Sequence, residues 1–152
     1  TLESPLGLTQ LSGTKVLVAE DNTNNQIVIR QFLEQKGCRV HIVSDGQEAI
    51  IKAQNDEIDI IFMDIQMPIL DGISATKAIR KLGITTPIIA LTANAIHGDK
   101  ERFIDAGMND YLAKPIVSET LYLLLDKYAP EQVIESKHLK LSRLAQVWEK
   151  LS

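Results

Sequence analysis

Cysteine is almost missing from this 152-residue chain. Cys38 stands alone, which rules out a disulfide within one chain and a cysteine-based zinc site, and a reducing compartment fits best. Basic residues are in the minority too: 16 Lys and Arg face 20 Asp and Glu, for a formal charge of -4. A mildly acidic segment lacks the footprint that neutralises phosphates, which argues against nucleic-acid binding by this segment. No apolar stretch is long enough to cross a bilayer, and no positively charged, apolar leader opens the chain. Membrane contact by this segment is therefore not expected. Position 1 is Thr rather than Met, so the chain reads as cut from a longer polypeptide that can carry either feature elsewhere. Repeats and low-complexity stretches are missing as well. No Gly/Ser/Thr-rich phosphate loop follows the first apolar run, which argues against a flavodoxin-like binder of flavin mononucleotide.

What remains is an ordinary globular composition, 45% apolar and 24% charged, in a chain the size of one domain with extra segments. Residues 1 to 13 mix Pro, Gly and Ser without a sustained period and read as an entry linker. Apolar strands are expected at Lys15 to Ala19, Arg39 to Val43, Ile58 to Asp64, Ile88 to Leu91 and Asp110 to Ala113. Between them lie helical stripes, the first capped by Asn24 or Asn25, the second turned by Asp45-Gly46 and the third capped by Asp71. A fourth helix is expected over Ile96 to Ala106, and a fifth, capped by Ser118, runs to a stop at Pro130. Strict alternation of strands and helices with right-handed crossovers implies an α/β, doubly wound (βα)5 fold. That is a flavodoxin-like three-layer sandwich whose parallel five-stranded sheet takes the order 2-1-3-4-5. The tail from Glu131 to Ser152 places Leu141, Leu144, Trp148 and Leu151 at helical spacing, so a C-terminal amphipathic helix is expected there.

Four of the five strands end in polar, reactive side chains: Glu20 and Asp21, then Asp64, then Thr92, then Lys114. Any one of these has an ordinary explanation as a turn residue, a helix-start acid or a solvated cation. Their joint placement at one rim points to a shared site, because open α/β sheets bind ligands beyond the carboxyl ends of their strands. If the first and third strands are neighbours, three carboxylates converge. Two unit charges about 4 Å apart repel by roughly 4 kcal/mol at an effective dielectric near 20, so a cation is expected among them. Mg²⁺, or Mn²⁺ in its place, suits a site of one or two carboxylates completed by water and phosphate oxygens. With Glu20 and Asp21 supporting the metal, Asp64 can bind through one oxygen and attack phosphorus with the other, forming an aspartyl phosphate. The Lys114 ammonium and the Thr92 hydroxyl would then neutralise and hydrogen-bond the phosphoryl oxygens.

The wording around these residues resembles the receiver domain of two-component response regulators over about Thr14 to Pro130. The motifs are Val-Leu-Val-Ala-Glu-Asp-Asn at 16 to 22, Met-Asp-Ile-Gln-Met-Pro at 63 to 68, Asp-Gly at 71 and 72, Ala-Leu-Thr-Ala at 90 to 93, and Tyr-Leu-Ala-Lys-Pro at 111 to 115. The resemblance implies that Asp64 is the phosphoacceptor and that the backbone carbonyl of Gln66 joins Asp21 and Asp64 as a metal ligand, beside Glu20. It implies that Thr92 and Lys114 contact the phosphoryl group, that Tyr111 is an aromatic switch partner of Thr92, and that Lys114-Pro115 is a cis peptide. Gln66 and Asn94 fall at positions that influence phosphoryl lifetime in the family, whereas His97 reads as a lone exposed imidazole.

Finer wording, Ile-Ala-Leu-Thr-Ala-Asn-Ala at 89 to 95 and Ala-Gly-Met-Asn-Asp-Tyr at 106 to 111, is most similar to receivers of hybrid sensor histidine kinases. The implied partners are a histidine kinase domain, a histidine phosphotransfer domain, or both. The implied location is cytoplasmic, compatible with the cytoplasmic part of a membrane-bound sensor kinase. Such a domain catalyses its own phosphorylation and dephosphorylation without being a turnover enzyme. Alternatives are a single-domain response regulator and, from another class, a Mg²⁺-dependent aspartate-nucleophile phosphohydrolase. Phosphohydrolases of that class carry a second Asp two residues after the nucleophile, on the first core strand; here Gln66 holds that position and the acid ends the third strand.

Overall fold

The computed structural model describes residues 13–93 and 99–128. Expectations for the entry linker, for Asn94, Ile96 and His97, for Pro130 and for the 131–152 tail lie outside the described residues. Within them the chain alternates β1 (Lys15–Ala19), α1 (Thr23–Gln35), β2 (Arg39–Val43), α2 (Gly46–Asn55), β3 (Ile60–Asp64), α3 (Gly72–Lys81), β4 (Ile88–Thr92), α4 (Asp99–Ala106), β5 (Asp110–Ala113) and α5 (Ser118–Tyr128). The strands form one parallel sheet in the order β2-β1-β3-β4-β5, as the alternation implied.

The burial of each strand follows its place in that order. Every residue of β3 and β4 is buried, whereas the edge strands β2 and β5 each keep exposed residues. This is why the two inner runs are continuously apolar: both faces of a parallel sheet are covered by helices. Successive side chains point to opposite faces. Val16, Val18, Ile60, Phe62, Ile89 and Leu91 pack with Ile29 and Leu33 of α1 and with Leu121 and Leu125 of α5. Leu17, Ala19, Ile61, Met63, Ile88 and Ala90 pack on the other face with Ala49, Ala53, Ala75, Ile79 and Phe103 from α2, α3 and α4. Full burial of each large apolar side chain contributes roughly 1.5–3 kcal/mol, so this doubly covered sheet is the rigid frame on which the strand ends sit.

The starts of α1 and α5 differ from the sequence reading, and that of α4, expected at Ile96, lies outside the described residues. Asn22, not Asn24 or Asn25, caps α1, its side-chain oxygen accepting from the Asn25 amide at 3.0 Å. Three asparagines compete for one role with equal propensity, and the strand end at Ala19 leaves room for the earliest. Ser118 is the first residue of α5 rather than the residue before it, a difference of one position. Asp71 caps α3 as expected, and Asp45, read as part of the turn into the second helix, caps α2. The Ser74 amide donates to Asp71 at 2.8 Å, and that bond above all holds the Asp71 carboxyl below its ordinary range.

One packing device has no motif. Arg80 at the end of α3 donates to the carbonyls of Gly107, Ile84 and Thr86 at 2.9, 2.8 and 2.8 Å, and to Asn109 Oδ1 at 2.9 Å. Asn109 Oδ1 also accepts from the Ile88 amide at 2.9 Å. Gly107 has a φ of 109°, and a Cβ there would lie 2.7 Å from Arg80 Cγ. The turn after α4 is thereby fastened to α3 and to the start of β4.

Candidate active site at the strand ends

The frame brings together all of the residues read from the strand ends. Beyond the last residues of β1, β3, β4 and β5 lies a cleft of about 630 Å³, whose lining includes Glu20, Asp21, Asp64, Gln66, Thr92 and Lys114. Their backbones are tied across the rim: Glu20 N donates to Val43 O at 3.0 Å, Ile65 N to Leu91 O at 3.1 Å, and Lys114 N to Thr92 O at 2.8 Å. The Lys114-Pro115 peptide is cis, matching the expectation. Because β1 and β3 pair directly, Glu20 and Asp64 leave neighbouring strands at nearly the same level.

Asp64 is 5% exposed, and each of its oxygens has a partner. Oδ1 accepts from the Gln66 amide at 3.2 Å, and Oδ2 accepts from Lys114 Nζ at 2.9 Å. Lys114 Nζ lies equally close, 2.9 Å, to Glu20 Oε1. That second contact is an ion pair without hydrogen-bond alignment, so Glu20 Oε1 is buried with no aligned donor. Glu20 Oε2 accepts from the Asn22 amide at 3.0 Å, which orients the carboxylate. Burial alone would lower the Lys114 pKa. The hydrogen bond to Asp64 and the close Asp64 and Glu20 carboxylates outweigh it and hold the ammonium above its ordinary 10.5.

Glu20, Asp21 and Asp64 each offer a carboxylate oxygen, and these oxygens lie within 4.8 Å of one another. The donor set is all oxygen and includes the unaligned, fully buried Glu20 Oε1, which suits a small hard divalent cation such as Mg²⁺. Tyr111, expected to partner Thr92, is half-buried against the core on the α3 and α4 side of the sheet.

Three contributors were not legible as site residues. Asn25 lines the cleft from α1, and Asp99 and Arg102 line it from α4; none belongs to a strand end, and no local pattern marks them. Gly72, the first residue of α3, supports the loop after β3, and here Asp-Gly was a signal. Its amide donates to Ile65 O at 3.0 Å, and a Cβ would collide with the backbone oxygen of Asp64. Gly72→Ala is therefore expected to destabilise the fold by about 2 kcal/mol, the range for overpacking a close contact, read as a lower urea midpoint. An unchanged midpoint would mean that the loop after β3 yields freely. That loop also contains a γ-turn, with Leu70 N donating to Pro68 O at 2.7 Å and Ile69 at a φ of 68°.

The fold and cleft define a doubly wound α/β protein with a carboxylate and ammonium site at its topological switch point. Comparison with known proteins takes this one step further. The family model for the response regulator receiver domain matches residues 16–126. The chain is 43% identical over 137 residues to hybrid signal transduction histidine kinase I of Dictyostelium discoideum, an alignment covering 84% of this chain and 8% of that protein. Among solved structures it is similar to the receiver domain of sensor histidine kinase PA1611 from Pseudomonas aeruginosa PAO1, crystallised with a magnesium ion coordinated in the active-site cleft. The identity is 47% and the TM-score 0.72, covering 78% of this chain and 98% of that one. It is also similar to the receiver domain of Ssk1 from Saccharomyces cerevisiae, solved with the histidine phosphotransfer protein Ypd1. There the identity is 31% and the TM-score 0.76, with 81% and 93% covered.

The chain belongs to the response regulator receiver domain family, the receivers of two-component and phosphorelay systems, and its relatives include hybrid histidine kinases. Membership favours this reading over the phosphohydrolase alternative. No helix among the described residues is long and apolar enough to cross a membrane.

Proposed function

We propose that Asp64 is the phosphoacceptor, taking a phosphoryl group from a phosphohistidine. The observation that carries this is the Asp64 carboxylate at the end of β3, with Lys114 Nζ at 2.9 Å and two further carboxylates close by. One Asp64 oxygen forms the new bond to phosphorus as the bond to the donor nitrogen breaks, and the electron pair leaves on the imidazole. Glu20, Asp21, Asp64 and the Gln66 carbonyl would hold Mg²⁺, or Mn²⁺, which when bound neutralises the phosphoryl oxygens. Lys114 moves from carboxylate to phosphoryl oxygen, and the Thr92 hydroxyl donates to another. Thr92 drawn inward leaves space for the Tyr111 ring, which alters the surface around α4 and β5.

The partner is a histidine kinase domain, a histidine phosphotransfer domain, or both, a reading supported by the relatives and by the Ypd1 complex of the Ssk1 receiver. A hybrid sensor histidine kinase in the cytoplasm is the proposed setting, with residues 14–130 as the receiver, 1–13 as linker and 131–152 as extension or linker. Incubation of the chain with Mg²⁺ and acetyl phosphate should add about 80 Da to the intact mass, the increment of one phosphoryl group. Chelation of the metal beforehand should suppress the adduct. A mass unchanged with metal present would overturn the reading.

A further inference from the structure

The cleft holds a charge imbalance that its strand-end residues do not resolve. Among the described lining residues, Glu20, Asp21, Asp64 and Asp99 are formally negative, and only Lys114 and Arg102 are formally positive. An incoming phosphodonor is itself an anion, and a divalent cation on the three-acid cluster would offset only two of the four negative charges. Lys114 is already committed, lying 2.9 Å from both Glu20 and Asp64. Arg102 is not committed in that way. Its Nη1 stands 3.6 Å from Asp99 Oδ1, longer than a hydrogen bond, and its side chain is 57% exposed. The guanidinium carbon lies 5.7 Å from the ring centre of Phe103, whose burial fixes the root of the side chain on α4. A planar guanidinium on a long stem can exchange one carboxylate for two phosphate oxygens at once, a bidentate geometry that an ammonium cannot offer.

We propose that Arg102 is a donor-binding residue: it leaves Asp99 to bind the phosphoryl oxygens of an entering small phosphodonor and steers phosphorus toward Asp64. This rests on the phosphoacceptor reading of Asp64. The chemistry it assists is balanced without it. An Asp64 oxygen bonds to phosphorus, the phosphorus–oxygen bond to the acyl group of acetyl phosphate breaks, and acetate departs with the electron pair. Arg102 changes occupancy of the cleft rather than the route of electrons or protons.

The test measures the rate of the mass adduct on the 152-residue chain against acetyl phosphate concentration, at fixed Mg²⁺ and low salt, for the unaltered chain and for Arg102→Ala, Arg102→Lys and Arg102→Glu. Arg102→Ala should raise the half-saturating concentration about fivefold, the upper size of an exposed ionic contact, with a smaller change in the rate at saturation. Arg102→Lys should recover part of that loss, Arg102→Glu should exceed it, and added salt should shrink the difference between the chains. Arg39→Ala removes an equal charge at the exposed start of β2, outside the cleft, and should match the unaltered chain. Equal half-saturation for Arg102→Ala and the unaltered chain overturns the role of Arg102 alone. An equal loss in Arg39→Ala also overturns it, by assigning the effect to net charge. An unaltered chain that gains no adduct at any concentration overturns the Asp64 reading, and this role with it.

Discussion

Asp64→Asn will leave the intact mass unchanged under conditions in which the unaltered chain gains a phosphoryl group. Asn matches the shape of Asp and keeps one oxygen that can accept from Gln66 N or Lys114 Nζ, now 3.2 and 2.9 Å from the carboxylate. What it loses is the charged oxygen that attacks phosphorus, and an amide does not replace it as a nucleophile. The substitution lies at the rim of a doubly covered sheet and leaves the core clusters untouched, so stability should change by no more than about 1 kcal/mol. Measuring the urea midpoint beside the adduct separates lost chemistry from lost fold. Labelling that persists in Asp64→Asn would relocate the acceptor to Glu20 or Asp21, the only other carboxylates in the described three-acid cluster.

Lys114→Met is expected to damage both stability and chemistry. Without the ammonium, the fully buried Glu20 and the nearly buried Asp64 face each other without the one described cation that pairs with both. Breaking a buried pair leaves an uncompensated charge. Because 19% of the Lys114 side chain is exposed, about 2 kcal/mol is expected, below the full range for a completely buried pair. Millimolar Mg²⁺ should restore part of the loss by supplying a cation to the same oxygens. Phosphorylation should slow on the order of 100-fold, the effect of removing one charge-stabilising donor.

The pH dependence has a definite sign. Burial lowers the Lys114 pKa, the contacts with Asp64 and Glu20 raise it by more, and the folded value lies above 10.5. A group whose pKa rises on folding contributes fully below its unfolded value and loses that contribution as pH climbs through the folded one. The difference in unfolding free energy between the two chains should therefore be constant through neutral pH and close only above about 10.5. A difference that closes near neutrality, or is missing altogether, would remove Lys114 from its place as the counterion of the cleft.

Much of this was readable from residue order because the reactive groups sit where strands stop. Val16 to Ala19 and Ile60 to Met63 are buried on both faces, so their composition announces strands, and the polar residue after each run must emerge at the rim. Asp71 was readable as a cap because it is the sole strong candidate before its helix. The α1 cap was not, since Asn22, Asn24 and Asn25 carry the same side chain and only the path of the loop chooses among them. Arg80 and Arg102 were opaque for a different reason. Arginines on helices are usually solvated; Arg80 meets Gly107 and Asn109 far along the chain, and Arg102 lines a cleft that exists only after folding. Leu82, the C-cap of α3, is 48% exposed because it falls at the helix end, past the last turn that faces the sheet.

The fastening of Gly107 and Asn109 by Arg80 also fixes the mechanics of α4. The eight residues of this helix span about 12 Å, with Ala106 beside the anchored turn and Asp99 at the cleft. With Phe103 buried mid-helix and the following turn anchored, a pull at the Asp99 end would tilt the helix about its held half. Each 2 Å of travel at the Asp99 end corresponds to about 10° of swing about Gly107, from the length of an eight-residue helix. Ile104, 46% exposed and on the same short helix, is carried through that arc, so small displacements at the cleft become a change of orientation on the outer surface.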